Sequence, residues 1–91
     1  MATIILIEDE RPIRTALEKG LTLAGHSVRC AANGREGVDM YKATAADLVI
    51  TDIVMPVMDG LEAVQAILAF DPKATIIAMS GSSSGTTGYD Y

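Results

Sequence analysis

Four short apolar runs, separated by stretches with helical spacing, constrain this chain more than any other feature. The runs fall at residues 3–7, 27–31, 47–52 and 75–79. Between the first two, Ile13, Leu17, Leu21 and Ala24 recur at the spacing of one helix face, with Pro12 in the first turn and Gly25 as the stop. Asn33 and Gly34 read as a turn. Val38, Tyr41 and Ala45 then form a second, shorter stripe. Asp59 and Gly60 open a third helix with an apolar face of Leu61, Val64, Ile67 and Leu68, which Asp71 and Pro72 end. In the second run Val28 and Cys30 alternate with Ser27, Arg29 and Ala31, the pattern of an edge strand. The order βαβαβαβ predicts a parallel sheet in a three-layer α/β domain.

Ninety-one residues make one small domain. Seven Lys and Arg against twelve Asp and Glu leave a net charge of −5. With no basic run, the chain has little with which to neutralise phosphates, so direct nucleic-acid binding is not expected. A multivalent cation or a basic partner surface fits better. The single cysteine, Cys30, excludes an intrachain disulfide and a cysteine-based zinc site. No apolar run is long enough to span a membrane, and the first residues do not read as a signal peptide, so the expected compartment is the cytoplasm.

The chemistry gathers at the ends of the runs. Glu8, Asp9 and Glu10 follow the first, Asp52 closes the third and Ser80 follows the fourth. In a parallel sheet these ends emerge on one edge, and ligands bind there at the point where the winding reverses. Strand two on one side of strand one, and strand three on the other, would bring Glu8 and Asp9 opposite Asp52. Carboxylates in one crevice repel and call for a cation or raised pKa values. Hard oxygen ligands suit Mg²⁺. A carboxylate can also attack a phosphoryl group to give an acyl phosphate, and the Ser80 hydroxyl could donate to a phosphoryl oxygen. Acidic loop residues are usually only solvated, so Glu8, Asp9 and Glu10 mean little alone. Asp52 carries more weight, because it ends an apolar run. His26, between the first helix and the second strand, reads as a loop residue at the opposite edge.

Over about residues 2–81 the sequence resembles the receiver domain of bacterial two-component response regulators. Residues 4–10 are similar to that family's first strand and acidic pair. Residues 47–60, a strand into an Asp, then Met-Pro, then Asp-Gly, resemble its phosphoacceptor signature. Residues 76–81 resemble its fourth strand and Ser/Thr switch. The resemblance implies a flavodoxin-like sheet in order 2-1-3-4, with residues 1–81 as the receiver and 82–91 as a flexible tail or the start of a fourth helix. It implies that Asp52 accepts phosphate from a sensor histidine kinase or a phosphotransfer protein. Asp9, Asp52 and the backbone carbonyl of Val54 would hold Mg²⁺, with Glu8 reaching the metal and Ser80 binding the phosphoryl group.

The family pattern continues into a fourth helix, a fifth strand bearing a Lys beside a Pro, and a fifth helix. Nothing in this sequence corresponds to them, so the chain reads as a receiver truncated after the fourth strand. Lys19, Lys42 and Lys73 all fall towards the edge opposite Asp52. Strands three and four should then lack cover on the first helix's side, and strand four should be an open edge. A homodimer through that face and edge is the expected consequence. The competing function is a scaffold or dimerising unit that keeps the fold but is poorly phosphorylated. An aspartate-nucleophile phosphatase ranks lower: such enzymes use a second Asp two residues on, where this chain has Val54.

Overall fold

The computed structural model describes residues 1–53 and 58–79. Their elements are β1 (Thr3–Ile7), α1 (Arg11–Leu23), β2 (Ser27–Ala31), α2 (Gly34–Ala43), β3 (Leu48–Asp52), α3 (Gly60–Phe70) and β4 (Ile76–Met79). The four strands are parallel, in the order β2-β1-β3-β4, and no fifth strand occurs among the described residues. This is the predicted sheet. Placing β1 between β2 and β3 aligns Ile7 with Ala31 on one side and with Thr51 on the other.

The strand period divides the core in two. Ile5, Ile7 and Val49 face α2 and α3 and cluster with Val38, Tyr41, Ala63 and Ile67. Ile4 and Leu6, equally buried, lie on the opposite face with α1. Asp47 ties the two central strands at their start: its N–H donates to Thr3 O (2.8 Å) and its Oδ2 accepts from Thr3 N–H (2.8 Å).

Helix boundaries follow local chemistry. Pro12 sits in the first turn of α1, and Gly25, at φ 98°, ends it as expected. Asn33 is not a free turn residue. Its side chain accepts from Glu36 N–H (2.9 Å), so it caps α2, and Gly34 is already helical. Ala45 lies beyond the end of α2. Asp59 and Glu62 form a reciprocal capping box on α3.

Two predicted helix faces are corrected. In α3 the buried residues are Gly60, Ala63 and Ile67, whereas Leu61 and Leu68 are exposed. The cause is Gly60, which packs directly on the end of β3 and so sets the helix's rotation. Residues three and seven positions on then face the sheet. In α1 no residue is fully buried; Leu17 and Leu21 are half-buried, while Ile13 and Ala24 are exposed. The helix rests mainly on β2 and, less, on β1. In β2, Ala31, which alternates with Val28 and Cys30, is the buried residue, because α2 covers the second face of that strand. On the α1 side of β4, Ile77 is 50% exposed. It lies beside the half-buried Ile50 of β3, so among the described residues this part of the sheet has less cover than Leu6.

Candidate functional site

β1 and β3 run in parallel next to each other, so the residues just past β1 meet the end of β3. Glu8, Asp9 and Asp52 converge there, each offering an oxygen, and these oxygens all lie within 4.8 Å of one another. The expected meeting of the first and third strand ends is therefore present. Asp9 and Asp52 are half-buried, but Glu8 is only 2% exposed.

That burial was not evident from a run of three acidic residues. Glu8 is effectively one more strand residue: its N–H donates to Ala31 O (3.0 Å), extending the β1–β2 ladder. Its Oε2 accepts from Glu10 N–H (3.1 Å) and its carbonyl accepts from Arg14 Nη1 (2.8 Å). Burial raises its pKa above the ordinary carboxylate value, the Glu10 N–H pulls it back, and the nearby Asp52 raises it again.

Asp52 is held from its own backbone outward. Thr51, wholly buried, donates its hydroxyl to Asp52 O (2.9 Å). The next residue, Ile53, donates its N–H to Met79 O (2.9 Å) and accepts from Gly60 N–H (2.7 Å). Gly60 approaches Asp52 so closely that a β-carbon there would overlap the Asp52 carbonyl. The end of β3 is thus wedged between β4 and the start of α3.

Three oxygen donors of this kind form a hard-cation site in their chemistry, and their mutual distances are short enough for one ion to touch all three. Ser80 and Val54, the other two predicted site residues, lie outside the described residues. Lys42 is engaged elsewhere, 5.8 Å over the Phe70 ring near the far ends of α2 and α3. Arg14 was missed at the sequence level. Its signal was the second of two arginines, Arg11 and Arg14, in the opening of the helix that directly follows the acidic loop.

Comparison with known proteins adds a family. The model for "Response regulator receiver domain" matches residues 4–89. The chemotaxis protein CheY of Thermotoga maritima is 40% identical over 78 residues, covering 85% of this chain and 65% of that protein. The chain spans less than two thirds of the length of this CheY, and less again of longer transcriptional regulators. Among solved structures, the response regulator TrrA of T. maritima, in complex with Mg²⁺ and BeF, superposes with a TM-score of 0.86 at 35% identity. That match covers 91% of this chain and 72% of TrrA. A structure of the histidine kinase ThkA in complex with TrrA matches at a TM-score of 0.85 and 33% identity, covering 96% of this chain and 75% of the matched one.

Proposed function

The chain belongs to the response regulator receiver domain family, and on that premise we propose that it accepts a phosphoryl group on Asp52 from a sensor histidine kinase or a phosphotransfer protein. The observation that carries this reading is the convergence of Glu8, Asp9 and Asp52 at one edge of the sheet. The TrrA complexes, one with a histidine kinase and one with Mg²⁺ and BeF, support the same partner and the same metal here. Glu8, Asp9 and Asp52 would hold Mg²⁺, joined by the Val54 carbonyl, and Ser80 would contact the phosphoryl oxygens.

In the transfer, a carboxylate oxygen of Asp52 attacks phosphorus. The phosphorus–nitrogen bond to the donor histidine breaks as the oxygen–phosphorus bond forms, and the imidazole nitrogen leaves with a proton from water. Asp52 becomes an acyl phosphate. Bound Mg²⁺ supplies positive charge against the phosphoryl oxygens. The wedged backbone around Asp52 holds that residue beside Glu8 and Asp9, so little orientation entropy is lost on attack. This is an acceptor role rather than an enzyme's, and we place it in the cytoplasm without direct nucleic-acid contact. Among the described residues no helix is long and apolar enough to cross a membrane.

The test is incubation with a small acyl-phosphate donor and Mg²⁺, followed by intact-mass measurement. One added phosphoryl group on the wild type, and none on Asp52→Asn, is expected. Equal background on both overturns the reading.

A second reading rests on the exposed Ile77, on the α1 side of the sheet, and on β4 as the sheet's edge among the described residues. We propose that these surfaces pair two copies of the chain, which makes it a dimerising unit whether or not Asp52 is phosphorylated. Sedimentation of a folded monomer at high concentration refutes it.

A further inference from the structure

Arg14 touches the acidic loop without belonging to the carboxylate set. The β1–β2 ladder explains why it is there. Alternate residues of β1 bond towards β2: Ala2 O accepts from Ser27 N–H (2.9 Å), and Glu8 N–H donates to Ala31 O (3.0 Å). Continued by two residues at a time, the ladder would give Glu8 O the N–H of Asn33. But β2 ends at Ala31, and Asn33 has left the strand to cap α2. Among the described residues the Glu8 carbonyl therefore has no sheet partner at the point where the loop turns. Arg14 supplies one from α1, with Nη1 at 2.8 Å in a half-buried setting.

The contact closes a small frame. Arg14 N–H also donates to Glu10 O (2.9 Å), and Glu10 N–H donates back to Glu8 Oε2 (3.1 Å). Glu8 is thereby held through its N–H, its carbonyl and its carboxylate. Three consecutive acidic residues repel one another, and without this frame the loop would splay towards water. A charge-assisted bond to a carbonyl is among the stronger ways to prevent that.

We infer that Arg14 is a positioning residue for divalent-cation binding, clamping the Glu8 carbonyl so that the Glu8 and Asp9 carboxylates stay aimed at Asp52. The inference rests on the receiver reading, since it takes these three carboxylates as the Mg²⁺ ligands. It also runs against simple electrostatics. Deleting a positive charge beside a cation site should tighten binding by removing repulsion. Loss of a clamp should weaken it, because groups that orient metal ligands typically contribute about 10-fold or more to affinity.

The experiment is a titration of the whole chain with MgCl₂, followed through backbone amide resonances near Asp9 and Ile53. Wild type is compared with Arg14→Ala, Arg14→Lys and Arg11→Ala. Arg11, at the exposed start of α1, controls for the change in net charge. Arg14→Ala is expected to weaken Mg²⁺ binding by roughly 10-fold. Arg14→Lys, which keeps the charge and one N–H donor, is expected to fold like the wild type and recover most of the affinity. Arg11→Ala is expected to bind as tightly as the wild type or slightly more so. Unchanged or tighter binding by Arg14→Ala overturns the inference and leaves the receiver reading standing. So does a loss that Arg14→Lys fails to recover. A wild type that binds no Mg²⁺ at all overturns both.

Discussion

The backbone of Gly60 rests against the Asp52 carbonyl, with no room between them for a β-carbon. The first residue of α3 and the candidate phosphoacceptor are therefore one packed unit, and neither can shift alone.

From this contact, Gly60→Ala should be severe. The added methyl would meet backbone rather than a side chain that can swing away. A cost of about 2–3 kcal/mol is expected, at the upper end for overpacking. Urea denaturation measures it. Phosphorylation of the surviving folded fraction should fall as well, because Asp52 must move to admit the methyl.

Glu8 is buried beside two other carboxylates, and burial first, then Asp52, raise its pKa. The folded state therefore favours the protonated form. Without metal, this group's contribution is fully present below the ordinary carboxylate range and is lost as pH rises through the raised value. Glu8→Gln should raise the metal-free melting temperature at neutral pH and flatten its fall from acid to neutral pH. The same variant should gain less stability from added Mg²⁺, since the gain follows the affinity. Melting curves at several pH values, with and without MgCl₂, check both points.

Tyr41, 2% exposed, donates its hydroxyl to Asp71 Oδ2 (2.6 Å) and so ties α2 to the end of α3. The bond lowers the pKa of Asp71, and the Lys73 N–H lowers it further. It also raises that of Tyr41 to about 12. The Asp71 contribution is present above its unfolded value and is lost as pH falls through the lowered one. The Tyr41 contribution is intact below its unfolded value of about 10 and is lost as pH rises through the folded value. Tyr41→Phe should lower the melting temperature by a few degrees at neutral pH and remove both pH dependences.

The rotation of α3 separates two adjacent apolar positions. Ile67 is 1% exposed and Leu68 is 38% exposed. Ile67→Ala should cost about 2–4 kcal/mol through lost burial and a residual cavity. Leu61→Ala, at a position 58% exposed, should stay within about 0.5 kcal/mol. Comparing the two in urea tests which face of the helix meets the sheet.

Much of the architecture was readable along the chain, because a strand or helix betrays itself by local periodicity. The apolar runs at residues 3–7 and 27–31 are β1 and β2 to the residue, and Pro12, Gly25 and Asp59 marked helix boundaries through backbone chemistry that acts over a few positions. The parallel order followed as well, since strands joined by helices have few ways to pair. Asp9 and Asp52 were legible as a pair for the same reason: Asp9 follows the end of β1 and Asp52 closes β3, and strand ends in such a sheet share an edge. Interactions between distant segments were hidden. Nothing near Gly60 in the sequence reveals that it must sit on Asp52, so the rotation of α3 and the exposure of Leu61 and Leu68 emerged only with the packed chain. Nothing near Glu8 reveals that it continues a strand, or that Arg14 completes a ladder whose partner strand has already turned away. Periodicity is a property of neighbours along the chain, while burial, clamping and close approach depend on neighbours in space.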